Sequence, residues 1–206
     1  MDIHDQNGNA VDIEHFEKQE QDLAKKYIKH DDIVLELGGR YGSVSCIINS
    51  KLKCKTNQVV VEPDERVWEA LERNKKVNNC QFHIVKGFLS NKKLGLTAVN
   101  SYNGYGTTSM VNTKSTIPSY TMTEIKTKYN LEFNVLVADC EGFLEVFFDE
   151  NPTLYDNLRL IIFEQDYPDK CNYDKIRNTL TKKGFFKIID NNRNGGQNVW
   201  MNISYK

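Results

Sequence analysis

The residues of this chain that could do chemistry are carboxylates closing short apolar runs. Ile33-Val34-Leu35-Glu36-Leu37-Gly38-Gly39-Arg40-Tyr41-Gly42 joins one such run to glycines at uneven spacing. Val59-Val60-Val61-Glu62, Val135-Leu136-Val137-Ala138-Asp139 and Leu160-Ile161-Ile162-Phe163-Glu164 end the same way. A carboxylate at a strand end can accept two hydroxyl hydrogen bonds, hold a cation or take up a proton. Glycines beside it let backbone approach a ligand closely. The spacing excludes two phosphate cradles. The dinucleotide pattern G-x-G-x-x-G is absent, and Gly42-Ser43-Val44 lacks the lysine of a P-loop.

What remains is acid-x-Gly-x-x-x-Gly, from Glu36 to Gly42, which looks like motif I of methyltransferases. Glu36 is read as ordering the loop and meeting a ligand ammonium; the bland alternative is an acid held by neighbouring loop amides. Glu62 ends the second strand, where a ribose can donate both hydroxyls to one carboxylate. Gly87 and Phe88 end the third, and Phe88 can pack on an adenine. Asp139-Cys140-Glu141-Gly142 places two acids just beyond the fourth strand. Asp139 is expected to orient substrate or cofactor, and Glu141 to be a base or a second orienting acid. The competing reading makes Asp139 the cap of a helix starting at Gly142, with Glu141 favourable at its N-terminus. Asp139, Glu141 and Glu164 could instead converge on a divalent cation, a less favoured reading. No metal ligand is assigned. Tyr102 and Tyr105, in a polar glycine-containing stretch, are candidates to stack on an acceptor.

The elements that must position these groups alternate. A helix is expected over residues 12–30, capped by Asp12, with Phe16, Leu23 and Tyr27 on one face. The first strand, the glycine loop and a helix from Ser43 to Ile48 follow. Then come the second strand, a helix capped by Asp64 and carrying Val67, Trp68, Leu71 and Lys75, and a third strand over Gln81–Val85. Residues 91–118 read as an irregular insertion and possible acceptor loop, with β-like pieces at Leu94–Val99 and Thr107–Val111. A short helix spans Met122–Tyr129. After the fourth strand come a helix from Gly142 to Asp149, the fifth strand, and a helix capped by Asn172 and stopped by Gly184. Phe185–Ile189 and Asn198–Ile203 form a closing hairpin. This alternation predicts an α/β fold with one doubly wound, mostly parallel sheet and an antiparallel C-terminal strand.

The 206 residues fit one domain, with residues 1–11 as a frayed arm. A net charge of -1 gives no bulk case for a nucleic-acid partner. No apolar run approaches the roughly 20 residues of a membrane span, and the polar, acidic start is unlike a secretory leader. Five cysteines without a C-x-x-C spacing argue against a zinc cluster or disulfide framework. The expectation is a cytoplasmic protein with reduced thiols.

Taken together, these residues resemble one family. Val59-Val60-Val61-Glu62-Pro63-Asp64, followed by Leu71-Glu72-Arg73-Asn74 and Asn78-Asn79, is similar to the Glu-Pro strand end and Leu-x-x-Asn-x-x-x-Asn helix of FkbM-type methyltransferases. Val137-Ala138-Asp139-Cys140-Glu141-Gly142-Phe143-Leu144-Glu145 resembles their Lys-Ile-Asp-x-Glu-Gly-x-Glu signature, and Ile161-Ile162-Phe163-Glu164 their fifth strand. The likeness runs from about Ile33 to Glu164. It implies a seven-stranded class I fold and S-adenosyl-L-methionine as cofactor, with S-adenosyl-L-homocysteine as product. It also implies methyl transfer to a hydroxyl of a small or carbohydrate-like acceptor. Cofactor contacts then fall on Glu36, Gly38, Gly39, Gly42, Glu62, Pro63, Gly87, Phe88 and Asp139, and chemistry on Asp139 and Glu141. Tyr102, Tyr105 and Glu164 would face the acceptor. The chain departs from the family at Glu36, where Asp is usual, at Gly38-Gly39-Arg40, where Gly-Ala-Asn is usual, and at Val137, where the family has lysine. An RNA or nucleoside methyltransferase and a non-catalytic cofactor-binding module are the alternative readings.

Overall fold

Every apolar run picked out above is a strand, and all lie in one sheet. The structure, a computed structural model, describes residues 1–97 and 106–205. In chain order the elements are α1 (Lys18–Tyr27), β1 (Val34–Leu37), α2 (Ser43–Lys51), β2 (Gln58–Glu62), α3 (Trp68–Val77) and β3 (His83–Lys86). Four short strands, β4 (Phe88–Leu89), β5 (Leu94–Leu96), β6 (Ser109–Val111) and β7 (Ser119–Tyr120), precede α4 (Met122–Tyr129) and β8 (Val135–Ala138). The chain continues through α5 (Leu144–Glu150), α6 (Leu154–Asn157), β9 (Leu160–Gln165) and α7 (Tyr173–Lys182). It ends in β10 (Phe185–Asp190) and β11 (Gly196–Asn202).

The main sheet has seven strands in the order β10-β11-β9-β8-β1-β2-β3, and only β11 opposes its neighbours. The antiparallel strand expected at one edge therefore lies one position in, with β10 outside it. β1, β2, β8 and β9 are Val-, Ile- and Leu-rich and buried on both faces, as parallel strands must be when helices cover both sides. Leu35, Leu136, Ile161 and Phe163 face one core with α5 and α7, while Val34, Val135, Val137 and Ile162 face another beneath α1 and α2. Val137, where the resembling family has lysine, is 5% exposed in that second core.

Helix ends follow local chemistry, with some corrections. Asn172 accepts from the Lys175 N–H and caps α7, as its position predicts. Thr121 and Glu124 cap α4 reciprocally, a Thr-x-x-Glu signal present in the sequence. Asp12 instead accepts from Glu14 N–H and contacts the His15 ring in a turn, and α1 starts six residues beyond it, after Glu17 at φ 55°. Asp64 likewise caps a turn at Arg66, and α3 starts at Trp68. The first eleven residues are not frayed. Ile3 is buried, and Asn74 and Asn78 of α3 bond the backbone of His4 and Asp2. Among the described residues no helix is long and apolar enough to cross a membrane.

The register is what positions the site. Leu37 pairs with Val61 on one side and Ala138 on the other, and Ala138 pairs with Phe163. The next residue of each strand is therefore level with its neighbours, which sets Glu62, Gly38, Asp139 and Glu164 in one row. Glu164 in turn pairs with Gln197 of β11. Parallel partners share a face, so the row projects its side chains together at the carboxyl edge, where open α/β sheets bind ligands.

Candidate active site

A cleft opens at this edge. Leu37, Gly38, Val61, Glu62, Pro63, Phe88, Asp139, Glu141 and Phe143 line it, so one cavity gathers predicted residues from four separate segments. A smaller cavity shares Glu17, Leu37, Gly38 and Asp139 with it and adds Glu20, Glu36, Gly39, Val137 and Gln197.

The ribose-type position is built around Glu62. One carboxylate oxygen accepts the Arg40 N–H at 2.7 Å and the other the Asp64 N–H at 2.7 Å. This fixes the carboxylate and leaves further lone pairs on both oxygens. The Trp68 indole N–H bonds the Glu62 carbonyl at 2.7 Å and props the strand end from α3. Burial pushes the Glu62 carboxyl up to about 7, against the two N–H groups that favour its charged form. Arg40 thereby acquires a place. Its backbone (φ 41°) turns the loop so that its N–H meets Glu62, and its guanidinium lies over the Tyr41 ring and 3.5 Å from Asp64. Asp64 is buried, which opposes its charge, yet a two-point bond from Arg66 holds it below the ordinary carboxylate range.

Glu36 lies behind the loop rather than on the main cleft. Ser45 Oγ donates to it at 2.8 Å and Gln58 Nε2 at 2.9 Å, tying β1 to α2 and β2. These donors are side chains, not the loop amides of the bland reading. Burial dominates them and pushes its carboxyl up to about 8. Gly38, at φ 88°, is required by a close approach: a Cβ there would stand 1.8 Å from the Asp139 carbonyl oxygen. Gly42 and Gly87 do not line the cleft. Gly42 packs under Leu71 and Gly87 against Pro118, whereas Phe88 forms the cleft wall.

The far end of the row is acidic. Asp139 is not a helix cap, because α5 begins at Leu144 with no side-chain cap. Burial, then repulsion from Glu164, holds its carboxyl well above the usual range. Glu164 is pushed up to about 9 by burial and by its neighbours Glu20 and Asp166. Burial also raises Asp166 and Glu141. Glu141, at φ 52°, accepts the Gly106 N–H at 2.9 Å, and the Tyr167 hydroxyl donates to the Gly106 carbonyl. The insertion is thus fastened beside the cleft through Gly106. Tyr102 and Tyr105 lie outside the described residues.

Three acids of the site were not singled out from the sequence. Asp166 follows Glu164 by two, a strand-period spacing that could have shown both acids on one face. Glu17 just before α1 and Glu20 within it arrive from the N-terminal side, with Glu17 receiving the Ser43 hydroxyl and Glu20 the Gln197 amide. Nothing local marks them.

The fold is shared with known enzymes. Precorrin-6y C5,15-methyltransferase of Geobacter metallireducens GS-15 superposes with a TM-score of 0.54 at 12% identity, over 88% of this chain and 86% of that one. A rRNA methylase from Streptococcus thermophilus gives 0.52 at 8% identity over 89% and 92%. Ribosomal protein L11 methylase from Lactobacillus delbrueckii subsp. bulgaricus gives 0.51 at 16% over 90% and 77%. The chain therefore has the Rossmann-like fold of class I methyltransferases. No protein-family model and no curated protein sequence matches it. The neighbours are named for unlike acceptors, so the fold leaves the acceptor open.

Proposed function

We propose that this chain is an S-adenosyl-L-methionine-dependent methyltransferase acting on a hydroxyl of a small or carbohydrate-like acceptor, of the FkbM type that its motifs resemble. One observation carries the reading. The sheet register brings Glu62, Gly38 and Asp139 level, and all three line one cleft with Phe88 and Glu141.

The residues present fit the cofactor. Glu62 keeps free lone pairs for two ribose hydroxyls after accepting its two backbone bonds. Phe88, Leu89, Leu96 and Phe143 give an apolar wall suited to adenine. Glu17, Glu36 and Asp139 surround Gly38 with carboxyl groups, which a ligand carrying an ammonium and a sulfonium would favour in their charged form. When bound, S-adenosyl-L-methionine supplies an activated methyl group on sulfur. The chain's part is positioning and proton handling. Among the described residues Glu141 has one oxygen held by the Gly106 N–H and no bond to the other, which can take the acceptor proton. Its raised affinity for protons makes it a better base in its ionised form. Asp139 orients the reacting groups from the end of β8. This end of the cleft presents the carboxyl groups of Asp139 and Glu141 rather than the lysines and arginines that hold phosphates, which counts against RNA.

Calorimetry with S-adenosyl-L-methionine, then transfer of a labelled methyl group to small hydroxyl compounds, sugars and RNA, tests the proposal. Absence of cofactor binding sinks it. Binding without transfer to any acceptor makes the chain a cofactor-binding module, and transfer to RNA alone replaces the acceptor class.

A further inference from the structure

Beyond the cofactor cleft, the acidic end of the row has the composition and spacing of a cation site. One carboxylate oxygen from each of Asp139, Glu164 and Asp166 lies within 4.8 Å of the others. Oxygens bound to calcium at about 2.3–2.6 Å, or to magnesium at about 2.0–2.1 Å, stand at separations of this order across the ion. The three acids come from adjacent strand ends. Asp139 follows β8, Glu164 belongs to β9, and Asp166 lies two residues on, so it returns to the face of Glu164. Among the described residues none of the three is paired with a lysine, arginine or histidine.

A second, independent feature points the same way. Gln197 is 5% exposed, and its carboxamide nitrogen donates to Glu164 at 3.0 Å and to Glu20. Its carbonyl oxygen Oε1 has no hydrogen-bond partner. Leaving a buried carbonyl unmet costs about 1–3 kcal/mol. This oxygen belongs to the group that touches Glu164, on the wall of the small cavity that Asp139 also lines. A cation ligand would satisfy it.

We propose that Asp139, Glu164 and Asp166, with the Gln197 carbonyl oxygen, bind one divalent cation. The all-oxygen donor set selects a hard ion such as magnesium, manganese or calcium over zinc or copper. Asp139 also lines the main cleft, so the ion would face the acceptor end. There it would hold an acceptor hydroxyl and favour its ionised form. That role rests on the methyltransferase reading, whereas binding of the ion does not. The sequence placed Glu141 in a possible cation set. In the structure Glu141 is engaged by Gly106, and Asp166 takes its place.

The test is titration of the full chain, stripped with a chelator, with manganese(II) by electron paramagnetic resonance and calorimetry. The expected result is one saturable equivalent. Asp166→Asn and Glu164→Gln should each weaken it by about 10-fold or more, and Asp174→Asn, a solvent-facing acid, should leave it unchanged. Circular dichroism of each variant shows that it is folded, and two independent ligand variants protect against failure of one. No binding of manganese, magnesium or calcium at millimolar concentration overturns the proposal, as does binding unaltered in both ligand variants. S-adenosyl-L-methionine titrated in the presence of chelator separates the two readings. Cofactor binding without cation binding removes the metal site and leaves the proposed function. Cation binding without cofactor binding does the reverse.

Discussion

Replacing Gly38 by alanine tests the placement of the cofactor loop most directly, because the structure supplies its own control. Gly38 has φ 88° and Gly184, just beyond α7, has φ 82°. An added methyl group therefore meets the same left-handed backbone penalty at both, on the order of 1–2 kcal/mol. The surroundings differ. At Gly184 no atom lies within 4 Å of the new Cβ, whereas at Gly38 the Asp139 carbonyl oxygen would be 1.8 Å away, far inside the 3.0 Å that real Cβ contacts keep. That oxygen is backbone at the end of β8 and cannot rotate aside, so the β1 and β8 ends must part. Overpacking of this kind costs typically about 1–3 kcal/mol more. Urea denaturation should show Gly184→Ala losing roughly 1 kcal/mol and Gly38→Ala roughly 2–5 kcal/mol. Calorimetry should show the Gly38 variant losing S-adenosyl-L-methionine affinity while the Gly184 variant keeps it. Equal destabilisation by the two substitutions would refute the close approach of Gly38 to Asp139, and with it the level row of strand ends.

Three further outcomes follow from the same geometry. Glu36→Gln reports the buried carboxyl: its folded form titrates near 8 against an ordinary 4.5, so its contribution is intact below about pH 4.5 and lost as pH rises through 8. The glutamine variant should gain on the parent across that window, by at most about 5 kcal/mol, and parallel stability curves by urea denaturation at pH 5 to 9 would contradict this. Glu62→Gln places an amide NH2 against the Arg40 or Asp64 N–H; cofactor affinity measured by calorimetry should fall about 10- to 100-fold, and an unchanged dissociation constant would remove Glu62 from the site. Glu141→Gln should lower the transfer rate about 10²- to 10⁴-fold with cofactor binding nearly intact, and a loss confined to KM would make Glu141 a binding residue rather than a base.

Much of the fold was legible because its signals are local. Strands buried on both faces need unbroken apolar runs, and the acids that end them mark the carboxyl edge of the sheet. Asn172 before α7 and Gly184 after it punctuate the helix by their own backbone chemistry. The helix starts at Asp12 and Asp64 were misplaced for a related reason. An aspartate caps a turn as readily as a helix, and only packing decides which. The position of β11 inside β10 was likewise invisible, since a hairpin can dock by either strand. At the cleft, Glu62, Phe88, Asp139 and Glu141 were legible as candidates because each stands at, or a few residues beyond, the carboxyl end of a main-sheet strand. Asp166, Glu17 and Glu20 were missed because their roles depend on strands and helices distant in sequence.

The sequence by itself determined the alternation of strands and helices, the glycine loop after the first strand and the acids at the carboxyl ends, because these are set by residue type and near neighbours. Only the tertiary structure decided that the strand ends stand level, so that Glu62, Gly38, Asp139 and Glu164 form one row, of which Glu62, Gly38 and Asp139 line the cleft. It alone decided that Arg40 serves Glu62 through its backbone and that Glu36 is enclosed by Ser45 and Gln58. Register between strands dozens of residues apart is fixed by packing the two cores, and no local pattern records it.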